Sequence, residues 1–138
     1  MPTTPIPAEL QEALRRPNPS VMATVRSDGA PVTAPTWYLW EDGQIVLNLD
    51  ASRVRLRHLR RDPRLSLTVL GADDWYSHLT LTGRVVSIEP DTDLHDIDRI
   101  STHYTARPYP VRDRARVSVR VEVERWYGWG ALAAQAQE

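Results

Sequence analysis

Valine occupies every second position from Val117 to Val123 in the run ARVSVRVEVE, with Ser118, Arg120 and Glu122 between. A period of two over this length means a β-strand with one buried face, because a helix would scatter those valines around its axis. Such a strand needs neighbours, and the chain carries hairpin turns rather than the long crossovers of a parallel sheet. SVMATVR (20–26) alternates Val21, Ala23 and Val25 against smaller or polar residues, and Asp28 and Gly29 supply a hairpin turn. VTAPTWYLW (32–40) reads as the next strand, with Pro35 marking an edge or a bulge because it has no N–H for the ladder. EDG (41–43) is a second turn and QIVLNL (44–49) a third strand, so these segments read as a three-stranded meander. LSLTVL places Leu65, Leu67 and Val69 on one face. WYSHLTLTGRVVSI (75–88) is a long strand whose apolar phase shifts across Gly83, the mark of a bulge, and RWYGWG prolongs the valine strand to an aromatic end.

Helical signals interrupt these strands. PAELQEALRRPNPS (7–20) sets Leu10 and Leu14 four apart and stops at Pro17 and Pro19. Ser52 is placed to cap a helix over Arg53–Arg61, and Pro63 forbids its continuation while pushing Asp62 out of the α region. DTDLHDIDRISTHY (91–104) has Asp91 and Asp93 at its start and Leu94, Ile97 and Ile100 on one face, and ARPYPVRD (106–113) is a loop. Six strands with interspersed helices predict a mainly β fold, a closed or nearly closed antiparallel barrel with flanking helices. The 138 residues suit one domain, with an N-terminal helical segment (1–17) and a C-terminal tail (131–138).

Composition removes several function classes. A net charge of −1 gives no general attraction to nucleic acid or membrane, so any positive site is local. Cysteine is absent, which excludes disulfides and thiolate metal sites and makes a reducing cytoplasm the expected compartment. No basic-then-apolar leader opens the sequence, and no apolar run approaches the roughly 20 residues that span a bilayer, so no membrane partner is expected.

The charge is concentrated in SRVRLRHLRRDPRLSL (52–67), which holds six arginines. All 17 basic residues of the chain are arginine, a bias that GC-rich codon usage explains, so a solvated basic face is the plain reading of this helix. Two features point further. The arginines begin at the helix start, where free N–H groups and the positive dipole end already favour anions. The preceding strand ends near Asn48, so backbone amides, Asn48, Arg53 and Arg55 are placed to converge on one oxyanion group. Nucleic acid is not an expected partner, because stacking aromatics do not interleave with the helix.

The segment from MATVRSDG to RRDPRLSL, followed by WYSHLTLTGRVVSI and VEVERWYGWG, resembles the pyridoxamine-phosphate-oxidase-like split β-barrel flavoproteins, and more closely their branch that binds the deazaflavin coenzyme F420. The resemblance covers residues 18–130. Its most specific part is the pattern formed by Arg53, Arg55, His58, Leu59, Arg60, Asp62, Pro63 and Arg64. In that family the first two basic positions hold the cofactor phosphate. Arg55 stands where lysine is commoner and His58 where asparagine is commoner. The resemblance implies a homodimer with two sites at its interface, Pro35, Thr36 and Trp37 beside the cofactor ring, and Tyr76 and His78 over the ring or substrate from the second protomer. For Arg57, Arg60 and Arg61 it leaves two readings, loose attraction of the anionic lactyl and oligoglutamate tail of F420 or solvation alone.

The five tryptophans fall in three clusters, WYLW (37–40), WY (75–76) and WYGW (126–129), which by default are core or dimer interface. His58, His78, His95 and His103 have no metal-ligand spacing, and no nucleophile elbow, dinucleotide fingerprint or P-loop is present. The resulting expectation is an F420-dependent reductase that hands a hydride to a small conjugated acceptor, with no residue named as catalytic. The alternatives are an FMN-binding oxidoreductase of the same fold and a non-enzymatic carrier or sensor of a flavin, deazaflavin or haem-derived molecule.

Overall fold

The computed structural model describes residues 3–132, so the last six residues of the expected tail (133–138) and residues 1–2 lie outside the described residues. The described residues form three α-helices and seven strands: α1 (Ala8–Leu14), β1 (Ser20–Val25), β2 (Pro31–Pro35), β3 (Leu39–Glu41), β4 (Gln44–Asp50), α2 (Val54–Arg61), β5 (Arg64–Leu70), β6 (His78–Pro90), α3 (His95–Thr105) and β7 (Arg116–Trp129). All seven strands join one antiparallel sheet in the order β2-β1-β5-β6-β7-β4-β3.

The sequence suggested six strands; the difference lies in VTAPTWYLW, which is two strands at opposite edges of the sheet. A flat sheet of this width would hold its edges about 29 Å apart. Only residues 36–38 connect β2 to β3, and that link spans at most about 14 Å. The sheet therefore curls until its edges nearly meet, which makes it a split antiparallel barrel. Pro35 ends one edge strand, and the expected meander is replaced by two hairpins, β1–β2 and β3–β4, with β4 paired to β7. Asp42 and Gly43, both at positive φ, make the second hairpin turn tight.

The core fills the curl. Leu65, Leu67 and Val69 of β5 and Val117, Val119, Val121 and Val123 of β7 point inward as their period requires. Leu10 and Leu14 of α1 are fully buried against the barrel, each gaining about 1.5–3 kcal/mol by leaving water. In β1 the expected phase is inverted: Ser20, Met22 and Thr24 are buried, while Val21, Ala23 and Val25 lie on the half-exposed outer face. The inward polar groups are satisfied, Ser20 Oγ donating to Thr36 O at 2.6 Å and Thr24 Oγ1 pairing with His58 Nδ1 at 2.9 Å.

Gly83 does sit at a register shift between β6 and β7, and a Cβ there would collide with the Glu122 carbonyl oxygen. Pro63 leaves Asp62 extended, at φ −130° and ψ 107°. Two helix starts differ from expectation. Arg53, extended at ψ 139°, takes the N-cap position of α2 because the Ser52 hydroxyl donates to Asp50 Oδ1 at 2.7 Å instead. In the third helix Asp93 and Leu94 take positive φ, so α3 begins at His95 and Leu94 stays only half-buried, while the Asp91 carboxylate accepts the N–H groups of Asp96 and Ile97.

Candidate functional site

The split of the barrel opens as a cleft of about 600 Å³. Its lining comes from the segment joining the two sheet edges (Pro35, Thr36, Trp37), the end of β4 and start of α2 (Asn48, Asp50, Arg53, Arg55), α3 with its following loop (Tyr104, Tyr109) and the start of β7 (Arg116). A second cavity of about 650 Å³ shares Asp50, Arg53, Arg55, Tyr109 and Arg116 with it and adds Ser52 and Arg114.

The two leading arginines of the helix are the ones that reach this cleft. Arg55 is half-buried, its only polar contact among the described residues being the Met22 sulfur at 3.9 Å, and burial together with the nearby Arg53 charge pulls its pKa down. Neither Arg53 nor Arg55 pairs with a carboxylate among the described residues. The nearest acid in the lining, Asp50, is engaged by Arg114 and Ser52, which hold its carboxyl well below the usual range. A partly desolvated cation without a counter-ion is costly unless a ligand brings the negative charge.

The aromatic part of the wall is also fixed. Trp37 stacks on Tyr104 with ring centres 5.3 Å apart and planes at 11°, and meets Tyr109 edge-on at 6.4 Å. The Tyr104 hydroxyl donates to Asn18 O at 2.6 Å, and burial pushes its pKa up to about 12. Asp98 holds the loop that carries Tyr109, accepting the Tyr109 N–H at 3.0 Å and Arg112 at 2.6 Å.

Pro35, Thr36, Trp37, Asn48, Arg53 and Arg55 thus come together as the sequence suggested. His58, Tyr76 and His78 do not join them in the cleft lining. His58 is buried under α2 against Thr24, because its place on the helix faces the barrel with Leu56 and Leu59. Tyr76 is exposed beside Trp75, and His78 opens β6 opposite Trp129. The remaining arginines of the run are dispersed: Arg57 and Arg60 are exposed, Arg61 donates to Val25 O at 2.8 Å, and Arg64 pairs with Asp62 at 2.7 Å. None of these four lines the cleft.

Tyr104, Tyr109 and Arg116 are lining residues that sequence reasoning passed over. The β4–β7 register sets Arg116 against Asp50 and Ser118 against Asn48, so the start of β7 meets protein and cleft. Among the described residues no group of three or more histidines or carboxylates is placed to hold a metal, and no helix is long and apolar enough to cross a membrane.

Solved structures carry the same architecture. A protein named F420 reductase superposes with a TM-score of 0.80 at 25% identity, over 88% of this chain and 98% of its own. A conserved hypothetical protein from Mycobacterium tuberculosis matches with a TM-score of 0.67 at 23% identity, over 99% of this chain and 90% of its own. A putative pyridoxamine 5'-phosphate oxidase from Listeria innocua also gives 0.67, at 17% identity over 87% of this chain and 94% of its own. The family described as pyridoxamine 5'-phosphate oxidase matches residues 6–130. With nearly its whole length matched and the split barrel in place, this chain belongs to the pyridoxamine 5'-phosphate oxidase family.

Proposed function

We propose that this chain is a cytoplasmic oxidoreductase with a flavin-type cofactor, specifically an F420-dependent reductase that passes a hydride to a small conjugated organic acceptor. The observation that carries the reading is Arg55, a half-buried cation with no carboxylate partner among the described residues, opening with Arg53 onto an aromatic-lined cleft. The likeness to a protein named F420 reductase supports the deazaflavin over other flavins. When bound, the reduced cofactor supplies the hydride. The protein's own work is to hold and orient. Arg53 and Arg55 bind the phosphate by charge-assisted hydrogen bonds. Pro35, Thr36 and the Trp37 stack fix the ring and exclude water. No residue is assigned as general acid, and the proton that follows the hydride comes from solvent, Tyr76 or His78.

The proposed assembly is a homodimer. The outer face of the sheet runs across Pro35, Val21, Thr68, Thr80 and Tyr127 in one row, with no charged side chain, and ends at Tyr127 and Trp129, 37% and 47% exposed. A second copy covers that face and brings Tyr76 and His78 toward the partner subunit's cleft. Sedimentation of a lone 15.7 kDa species at micromolar concentration contradicts the dimer.

Fluorescence titration with oxidised F420 and with FMN, side by side, tests the cofactor. F420 is expected to bind in the low-micromolar range or tighter, and FMN more weakly. FMN is the second reading because Arg53 and Arg55 account for a single phosphate. FMN co-purifying in stoichiometric amount, or outcompeting F420, overturns the deazaflavin assignment.

A further inference from the structure

The cleft holds more positive charge than one phosphate requires. Arg53 and Arg55 stand at the start of α2, and Arg116 enters from β7, so three cations without a carboxylate partner among the described residues line the same space. Arg114 differs from them, because Asp50 already neutralises it.

Arg116 is held by neutral groups. Its Nε donates to Asn48 Oδ1 at 2.7 Å, one terminal nitrogen to the Asn48 carbonyl at 3.3 Å and the other to the Tyr109 hydroxyl at 3.5 Å. Its guanidinium carbon lies 4.7 Å from the centre of the Tyr109 ring. Asn48 is itself buried and pinned, its amide donating to Asp91 Oδ2 at 2.9 Å and Ser118 Oγ at 3.3 Å. An arginine has five N–H donors, and these contacts engage three of them. A guanidinium oriented this firmly, with donors in reserve and no counter-ion, is a preorganised fork for a carboxylate.

We propose that Arg116 forms a second anion subsite, separate from the Arg53–Arg55 phosphate site, which recognises a carboxylate on the bound ligand and selects for ligands that carry more than the phosphate. The proposal rests on the reading of this cleft as the cofactor site. The carboxylate belongs either to the acidic tail of the cofactor or to the acceptor, and the two sources are separable.

Two probes share one ring: F420 with its glutamate tail, and the same deazaflavin ending at its 5'-phosphate with no carboxylate. Each is titrated by fluorescence against the parent protein, Arg116→Gln and Arg26→Gln, the last removing one exposed charge that does not line the cleft. If the tail is the source, Arg116→Gln weakens the glutamylated probe by about tenfold or more and the phosphate-only probe by no more than about twofold. Arg26→Gln shifts both probes by less than about twofold, which separates local recognition from general charge. If the acceptor is the source, neither probe moves, but binding of cinnamate to the cofactor-loaded protein weakens about tenfold in Arg116→Gln while methyl cinnamate is unaffected. Equal losses for both deazaflavin probes, or no loss in either arm, overturn the proposal.

Should Arg116→Gln fail to fold by circular dichroism, Arg116→Lys keeps the charge and loses the fork, and the glutamylated probe is expected to weaken about threefold or more. If the parent protein binds neither deazaflavin, the cofactor reading fails independently. Arg116 is then judged with citrate alone, whose stabilisation of the melting temperature must be lost in the Arg116 variant; retention overturns the subsite.

Discussion

Replacing Arg55 by methionine is expected to move stability and affinity in opposite directions. In the ligand-free protein this guanidinium is half-buried, repelled by Arg53 and, among the described residues, compensated only by the Met22 sulfur, a weak acceptor. Methionine keeps most of the apolar stem that packs on the barrel and removes the charge. Because the head group is still partly in water, the gain is limited to about 1 kcal/mol. For a domain of 138 residues that raises the melting temperature by about 3–5 °C. The same change removes a charge-assisted contact to the cofactor phosphate and costs about 1.5–3 kcal/mol of affinity, roughly ten- to a hundredfold. Differential scanning calorimetry without ligand and fluorescence titration with oxidised F420 measure the two halves. A lower melting temperature with unchanged affinity refutes the reasoning, since it would mean that the Arg55 charge serves the fold and not a ligand.

His58→Ala is expected to destabilise the protein by about 1–3 kcal/mol in urea, since it leaves buried Thr24 without its partner, while cofactor affinity stays within about twofold. Gly83→Ala forces a side chain into the Glu122 carbonyl and is expected to cost more than about 3 kcal/mol or prevent folding; an alanine variant as stable as the parent removes the steric account of the bulge. Burial raises the folded-state pKa of Tyr104 to about 12 and also raises that of Tyr38, so the protonated forms favour the fold. Their contribution is full below the ordinary tyrosine pKa of about 10 and is lost as pH rises toward 12. Ultraviolet titration should therefore find two tyrosines that ionise late, together with falling stability, and normal ionisation of all five in the folded protein would contradict their burial.

Much of the site was legible where the signal is local. The arginine pattern pointed to Arg53 and Arg55, and the family resemblance to Pro35, Thr36 and Trp37, all of which line the cleft. His58 lies against Thr24 outside the cleft lining, and a sequence pattern does not say which face of an eight-residue helix meets the barrel. The β1 phase was inverted for a related reason. Hydrophobicity alone assigns Val21, Ala23 and Val25 to the core, but Ser20 and Thr24 go inward because other elements supply their hydrogen-bond partners.

The sequence by itself determined the strands of regular period, the Gly83 bulge, the edge character of Pro35, the break at Pro63 and the place of the leading arginines, since each depends on steric and periodic rules acting over a few residues. Tertiary structure alone decided that β2 and β3 occupy opposite edges of one sheet and that Tyr104, Tyr109 and Arg116 meet Asn48, Trp37 and Arg55 around a cleft. Those contacts join residues that are distant in the chain, and their free energy exists only after the sheet has curled and closed the loops between them.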